Sequence, residues 1–341
     1  MDKIQIREKR ERTDSHNKEM KKLLLIDANS IIHRSFHALP PFTTPEGKPS
    51  GAIYGIASIL LKLWRDERPD YAAALFDRPE PTFRDEKYAE YKAQRPPTAE
   101  ELVSQIIEAH KLFDAFGIKT FEKARYEADD LIATLAEKFK TLPDVRVVIL
   151  TGDRDTLQMV EGDKLVVQTF NKGVSDTTIY NEPAVIEKYG IAPKQMVDYK
   201  ALVGDSSDNI KGVPGVGPKT ALELIKRFGT VKEMYKQLDG KAVADDDAEL
   251  KKIRARFGAF KKDAELSEML VTLERHAPIE IPPIEELAPF ENTDAAAKYF
   301  EKMGFATLLK RILMPAADEK IEAKKSPKIK SKPNNNQTAL F

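Results

Sequence analysis

The chain reads as an α/β protein: a central, mostly parallel sheet wrapped by helices, followed by a region that is helical throughout. Three observations point there. Leu23 to Ile26 (LLLI), Tyr71 to Phe76 (YAAALF) and Val145 to Leu150 (VRVVIL) are short, nearly unbroken apolar runs, the pattern of strands buried on both faces. Amphipathic stretches of helical period lie between them, as parallel crossovers require. From Glu182 onward the apolar residues recur at helical spacing to about Leu313. At 341 residues, 41% apolar and 32% charged, the chain has room for a main domain, a smaller one and tails.

Taken in order, Met1 to Lys22 alternates acids and bases with almost no apolar content, so residues 1–21 are expected to be a disordered charged arm. It lacks the apolar region of a secretory signal. The first strand ends at Asp27, where α/β folds open their crevice. His33 and His37 have a zinc-like spacing but no further ligand nearby, and read as surface or packing residues. Gly51 to Leu63 is an amphipathic helix, with Trp64 at its end better suited to core than to stacking. The second strand meets Asp77. Thr82 to Pro97 then interleaves Arg84, Lys87, Lys92 and Arg95 with Phe83, Tyr88 and Tyr91. It reads either as an ordinary charged helix or as an arch, at about 78–100, that clamps a single strand by charge and stacking.

Leu102 to Phe116 is a helix and Ile118 to Phe121 a short strand. Glu127, Asp129 and Asp130 open the next helix, and three acids in four positions exceed what capping needs. VRVVIL runs straight into Asp153 and Asp155. Leu165 to Phe170 and Thr177 to Tyr180 read as a hairpin or two edge strands. Asp245 to Asp247 reads as a solvated loop, Pro282, Pro283 and Pro289 as helix breaks, and Thr293 to Leu313 as a last helix. Residues 314–341, with five lysines between Lys324 and Lys332 and then PNNNQTALF, read as a disordered tail.

Lysine plus arginine equals aspartate plus glutamate, 55 each, so overall charge does not advertise a polyanion partner. There is no cysteine, which excludes disulfides, thiolate zinc sites and a cysteine nucleophile. No run approaches membrane-spanning length, and a cytoplasmic location is expected. The chemistry is concentrated in VGDSSDNIKGVPGVGPKTA, Val203 to Ala221. Asp205 and Asp208 stand at i, i+3, expected to share one face of a helical turn. The glycine turn Gly212 to Gly217 lets backbone N–H groups approach a phosphate. With acids at the strand ends, one pocket is expected to gather Asp27, Asp77, Glu127, Asp129, Asp130, Asp153, Asp155, Asp205 and Asp208. So many carboxylates cannot stay ionised together without cations, and oxygen-only ligation favours Mg²⁺ or Mn²⁺. Carboxylates beside a glycine turn point to a metal-dependent nuclease that grips DNA next to its active site.

The segments DANSIIHRSFHALPPF, FDRPEPTFRDEKYAEYKAQRPP, YEADDLIATLA, TGDRDTLQ, GDSSDNIKGVPGVGPKTA and FATLLKRI together resemble the 5′-nuclease domain of bacterial DNA polymerase I, within the flap endonuclease superfamily. The resemblance runs from about Lys22 to Leu313. It implies a PIN-like nuclease core over 22–190 and a helical region over 191–313 carrying a helix–three-turn–helix (helix-hairpin-helix) motif. It implies Asp27, Asp77, Glu127 and Asp129 as ligands of one metal and Asp153, Asp155, Asp205 and Asp208 of a second, with Asp130 between. Arg34, Arg84, Tyr91, Lys92 and Arg95 match positions that hold the scissile phosphate and the 5′ strand. Arg84 and Lys92 are expected to act in catalysis with Asp129 and Asp153. Gly212, Val213, Gly215, Val216, Gly217, Lys219 and Thr220 are expected to hold duplex, with K⁺ a candidate at the hairpin.

Ala28 stands where the family commonly has Gly, and Lys211 where it has Pro. The large departure is that no polymerase portion follows, so a free-standing nuclease is expected. It would be a monomer without membrane partners, acting on 5′ flaps, nicked duplex and RNA–DNA primers, with polymerase and ligase in trans. The last five residues resemble a Q-x-x-L-F sliding-clamp motif, with Gln337, Leu340 and Phe341 as its anchors. A junction-binding adaptor without activity and a PIN-type RNA-processing nuclease are the rival readings.

Overall fold

The computed structural model describes residues 20–171, 176–239, 248–288 and 293–313. The charged arm up to residue 19, the Asp245–Asp247 loop, Pro289 and the tail with Gln337, Leu340 and Phe341 lie outside the described residues.

Six strands form one sheet: β1 (Lys21–Asp27), β2 (Tyr71–Leu75), β3 (Lys119–Phe121), β4 (Val145–Thr151), β5 (Leu165–Phe170) and β6 (Thr177–Tyr180), in the order β3-β2-β1-β4-β5-β6. All neighbouring pairs are parallel except β5–β6, which is antiparallel at the edge. The sheet is covered on both faces, which is why β1 and β2 are apolar without alternation. Leu23, Leu24, Leu25 and Ile26 are each at most 1% exposed, and burying such a side chain is worth roughly 1.5–3 kcal/mol.

In the N-terminal part of the chain the helices are α1 (Ala28–Ala38), α2 (Gly51–Asp66), α3 (Phe83–Lys87), α4 (Glu100–Ala115) and α5 (Ala128–Phe139). The helical region adds α6 (Glu182–Tyr189), α7 (Met196–Val203), α8 (Pro218–Phe228), α9 (Val231–Asp239), α10 (Ala248–Phe257) and α11 (Lys261–Val271). Leu23, Leu25, Ala73 and Ile149 face α5, and this core continues through Met196, Val213, Leu224 and Ile225 into the helical region. Leu24, Ile26, Ala74 and Leu150 face α1, α2 and α4.

Two expectations are corrected. The stretch Thr293–Leu313 is not one helix but two, α12 (Thr293–Met303) and α13 (Ala306–Leu313), separated at Gly304 with φ +73°. Their Phe300, Phe305 and Leu308 pack on the second face with α2 and α4, so the expected helical region 191–313 is divided between the two sides of the sheet. Nor do Asp205 and Asp208 lie on a helical turn. Helix α7 stops at Val203, Gly204 turns the chain at φ +81°, and Asp205 and Ile210 close a turn by bonding N to O at 2.7 and 2.8 Å.

Candidate active site and nucleic-acid interface

The strand order reverses at β1, with β2 on one side and β4 on the other, and crevices open at the carboxyl ends of such strands. Asp27 is the last residue of β1 and also caps α1. Its Oδ1 accepts from Ser30 N at 3.0 Å and its Oδ2 from Thr151 Oγ1 at 2.6 Å. Asp77 follows β2 and accepts from Ala128 N, the first amide of α5, at 2.7 Å. Glu127 and Asp129 flank that same helix start. Asp153 lies just beyond β4, its N–H donating to Thr151 Oγ1 at 2.9 Å. Together with Asn29, Ser30, His33, Arg34, Lys92, Arg95 and Gly152 these five acids line a cavity of about 360 Å³.

The electrostatics of this cavity favour a cation. Burial pushes the Asp27 carboxyl up to about 7, and Asp77 and Asp153 add to the effect beyond what the Thr151 and Ser30 bonds offset. Burial, then Asp27, Asp153, Asp77 and Glu127, push Asp129 well above the usual carboxylate range. Asp129 Oδ1 is buried with no hydrogen-bond partner. A native buried carboxylate oxygen left unpaired asks for a ligand. No three Asp, Glu or His side chains among the described residues close on a single point. The oxygen-only donors, the orphaned oxygen and the like-charge crowding nevertheless fit a divalent cation.

The remaining acids stand elsewhere. Asp155, Asp205 and Asp208 do not line the cavity. Asp155 and Asp205 both pair with Lys200, a residue sequence reasoning missed, whose only signal is its place five residues before Asp205. Lys200 and the Ser207 bonds hold the Asp205 carboxyl down to about 2, against burial, which alone would raise it. Asp208 accepts from Arg95 at 2.5 Å and lies 3.3 Å from the Tyr91 hydroxyl.

Asp130 is corrected from a metal position to a structural one. It is 0% exposed and accepts from Arg84 through both oxygens at 2.8 Å, from Glu127 N at 3.1 Å and from Glu274 N at 2.9 Å. Arg84 is corrected with it. Its guanidinium is 1% exposed and also donates to the carbonyls of Leu270 and Thr272, each at 2.9 Å. A guanidinium spent on a bidentate carboxylate and two carbonyls has no face left for a phosphate. The local cause is legible: Thr82 and Asp85 form a capping box that fixes the short α3 and turns Arg84 inward.

From the basic segment Thr82 to Pro97, Lys92 and Arg95 are the cations that line the cavity. Lys92 holds Glu127 at 2.5 Å, and its backbone, at φ +52°, is pinned by its N–H on Asp208 O at 3.0 Å. A lysine in the left-handed region is strain that packing must hold, and such strain clusters at working sites. Burial would lower the Lys92 pKa, but the Glu127 and Asp208 carboxylates outweigh it and raise it. Tyr91, expected to touch the strand, is 5% exposed, and its hydroxyl lies 3.1 Å from Glu127. Its ring braces the arch and is not open for stacking. Arg34 also lines the cavity and donates to Asn171 O at 3.2 Å. His33, read from sequence as surface or packing, is exposed on the cavity wall.

The glycine turn divides by role. Gly212, at φ +64°, is buried against Gly204, where an added Cβ would stand 2.4 Å from Gly204 N. Val213 and Val216 are 2% and 6% exposed, and their N–H groups are spent on Leu202 O and Val213 O. These three residues, expected to contact DNA, build the turn instead. Gly215, Gly217 and Lys219 are exposed and Thr220 is half-buried, at the N-terminus of α8, and nothing lies within 4 Å of a Cβ placed on Gly217. Arg256 braces the turn from α10 by donating to Gly215 O at 3.2 Å.

Comparison with known proteins identifies the family. Residues 22–190 match the family model of the 5′-3′ exonuclease N-terminal resolvase-like domain, and residues 191–295 that of the 5′-3′ exonuclease C-terminal SAM fold. A 5′-3′ exonuclease of Aquifex aeolicus is 40% identical over 263 residues, covering 77% of this chain and 85% of that protein. DNA polymerase I of Bacillus subtilis is 39% identical over 298 residues, covering 86% of this chain but 32% of the polymerase. The chain thus spans about a third of the length of the polymerase relatives it matches.

Among solved structures, the flap endonuclease of bacteriophage T5, in a pseudo-enzyme–product complex with DNA and metal ions, superposes with a TM-score of 0.59 at 23% identity. That match covers 87% of this chain and 100% of the phage protein. The catalytic core of Rad2 in complex with DNA substrate superposes at 0.58 with 18% identity, over 87% of this chain and 93% of that one. These likenesses are of fold. With both family models matched in sequence, over 22–190 and 191–295, the chain belongs to the 5′-3′ exonuclease family.

Proposed function

We propose that this chain is a structure-specific, metal-dependent 5′-nuclease that hydrolyses phosphodiester bonds at DNA junctions, trimming 5′ ends and 5′ flaps. The observation that carries the reading is the orphaned Asp129 oxygen in a cavity with Asp27, Asp77, Glu127 and Asp153. Asp27, Asp77, Glu127 and Asp129 would hold one divalent cation, Mg²⁺ or Mn²⁺, and Asp153, Asp155, Asp205 and Asp208 a second. When bound, such cations lower the pKa of a water and stabilise charge in an in-line displacement.

The chain's own residues do the rest. Lys92 and Arg95, at the cavity rim, are placed to take a scissile phosphate once their carboxylate partners turn to a cation, and Arg34 lines the same cavity. Asp130 and Arg84 keep Glu127 and the arch in register. Gly215, Gly217, Lys219 and Thr220 would receive a duplex backbone on the free N-terminus of α8, with K⁺ a candidate there. A duplex grip of this kind favours a DNA-junction nuclease over a PIN-type RNA nuclease, and a charged, crowded acid cavity favours an enzyme over an adaptor.

The substrates that fit are 5′ flaps, nicked duplex and RNA–DNA primers, with polymerase and ligase in trans. The Gln337, Leu340 and Phe341 motif would add a sliding clamp as partner. Titrating a bacterial clamp against the full chain and a version ending at Asn336 tests that addition, since equal affinity for both would end it. The main reading is tested with a labelled 5′-flap substrate in Mg²⁺ and in EDTA, alongside Asp129→Asn. Mg²⁺-dependent cleavage lost in the variant supports the reading, and cleavage in EDTA or by the variant at the wild-type rate overturns it.

A further inference from the structure

The Lys200 ammonium stands between two of the acids assigned to the second cation. It donates to Asp155 Oδ1 and, at 2.7 Å, to Asp205 Oδ2. The three side chains are largely buried, Lys200 at 18% exposure and both acids at 14%. The other oxygen of Asp205 is occupied as well, accepting from Ser207 N at 2.8 Å and Ser207 Oγ at 2.6 Å. Each oxygen of Asp205 thus already holds a donor, and the one turned to the lysine faces a positive charge.

The fold holds Lys200 there. It lies in the last turn of α7, where the helix dipole favours a cation, next to Ala201 and Leu202, which are 0% and 1% exposed. Asp155 arrives from the turn after β4 and Asp205 from the turn closed by Ile210. Two segments distant in sequence, one carrying Asp155 and one carrying both Lys200 and Asp205, thus meet at one ammonium. Among the cavity acids Glu127 is paired with Lys92, but the partners of Asp27 and Asp77 are hydroxyl and amide groups, which carry no compensating charge.

We propose that Lys200 is the resident counter-ion of the Asp155–Asp205 pair and sets how tightly that pair takes up a divalent cation. The inference rests on the metal-dependent nuclease reading above. An ammonium and a divalent cation are drawn to the same two carboxylates and repel one another at this range, so the lysine weakens cation uptake until it moves away. In the metal-free protein the lysine relieves the repulsion between the two carboxylates. On titration the cavity acids fill first, and the Asp155–Asp205 pair fills later. Lys200 is a positioning residue in this account and acts on the reaction only through the acids.

The test uses the full chain stripped with EDTA and titrated with Mn²⁺ in the absence of DNA, followed by calorimetry. Wild type is expected to show a tight and a weak class of sites. Lys200→Met should tighten the weak class by about tenfold, the scale of removing one competing partly buried charge, while lowering the melting temperature of the metal-free form alone. Lys200→Arg should keep both wild-type classes.

A second readout needs no variant. Acetylation of the wild type, read by mass spectrometry, should label Lys200 faster when Ca²⁺ is added, because the displaced amine is freed. Unchanged Mn²⁺ classes in Lys200→Met overturn the proposal, and so does Lys200 labelling that is indifferent to bound Ca²⁺. A wild type that binds no Mn²⁺ overturns the metal-nuclease reading itself, so the two failures are told apart.

Discussion

Replacing Arg84 by alanine should unfold the protein more easily long before it says anything about chemistry. The side chain is 1% exposed and ties three places together: Asp130 at the start of α5, and the carbonyls of Leu270 and Thr272 at the end of α11. Removing it leaves a fully buried Asp130 carboxylate with only the Glu127 and Glu274 amides for company. Breaking a buried ion pair from one side costs about 3–5 kcal/mol. The two remaining amide bonds to Asp130 offset part of that, while the two abandoned carbonyls add roughly 1 kcal/mol each. The expected loss is therefore about 4 kcal/mol, or a fall in melting temperature on the order of 5–10 °C for a chain of this size.

Urea unfolding with and without metal measures the loss, and single-turnover cleavage of a flap substrate, well below the melting point, measures the chemistry. Arg84→Met combined with Asp130→Leu should recover much of the stability, because neither partner is then stranded. A guanidinium acting on the scissile phosphate gives the opposite pattern: unchanged unfolding, and a chemical step slowed by on the order of 10²–10³. That pattern in Arg84→Ala would refute the structural role assigned here.

Three further outcomes are expected. Asp129→Asn should abolish Mg²⁺-dependent cleavage while junction binding, read by fluorescence anisotropy, is kept or tightened, since one negative charge leaves a pocket that must receive a phosphate. In EDTA, a carboxyl whose folded pKa exceeds its unfolded value binds an extra proton in the folded state between the two. With Asp27 at about 7, wild type should lose stability relative to Asp27→Asn as pH rises from about 4 to about 7, by at most about 4 kcal/mol, and the difference should level off above. Denaturant titrations across that range check it, and a difference that grows the other way counts against the burial of Asp27. Gly212→Ala, at φ +64° with its Cβ forced to 2.4 Å from Gly204 N, should cost more than about 2 kcal/mol. Gly217→Ala, facing open space, should leave stability within about 0.5 kcal/mol yet weaken duplex binding in an anisotropy titration.

The sheet and its acids were legible because each rests on a local pattern. LLLI, YAAAL and VRVVIL are strands buried on both faces, and the acid after each one lands at the sheet's carboxyl edge whatever the helices do. The three acids at Glu127, Asp129 and Asp130 divide into a carboxylate clasped by Lys92, one with an unpaired oxygen, and one that closes a capping box on Glu127 N and is locked under Arg84. Spacing could not make that division. Asp129 and Asp130 are adjacent on a helix, so they point about 100° apart, and only what packs beyond them decides which faces the cavity.

The same limit explains why Arg84 was taken for a phosphate ligand. Arg84, Lys92 and Arg95 are all basic residues in one polar segment, and composition ranks them equally as phosphate ligands. What separates them lies far along the chain: Arg84 meets carbonyls 186 and 188 residues away, while Lys92 meets Glu127 across 35. The Thr82–Asp85 capping box was the one local clue, since it fixes a short helix whose second residue must turn toward the core. Lys200 was missed for a related reason. A lysine in the last turn of a helix is what the dipole alone would favour, so it carries no surprise in sequence. It becomes informative only when Asp155, from the turn after β4 and 45 residues earlier, is brought against it, and then two carboxylates assigned to a metal share one ammonium. Charges that neutralise one another inside a site are invisible to counting, as the equal totals of 55 bases and 55 acids already imply. They are what any cation or phosphate entering this site has to displace.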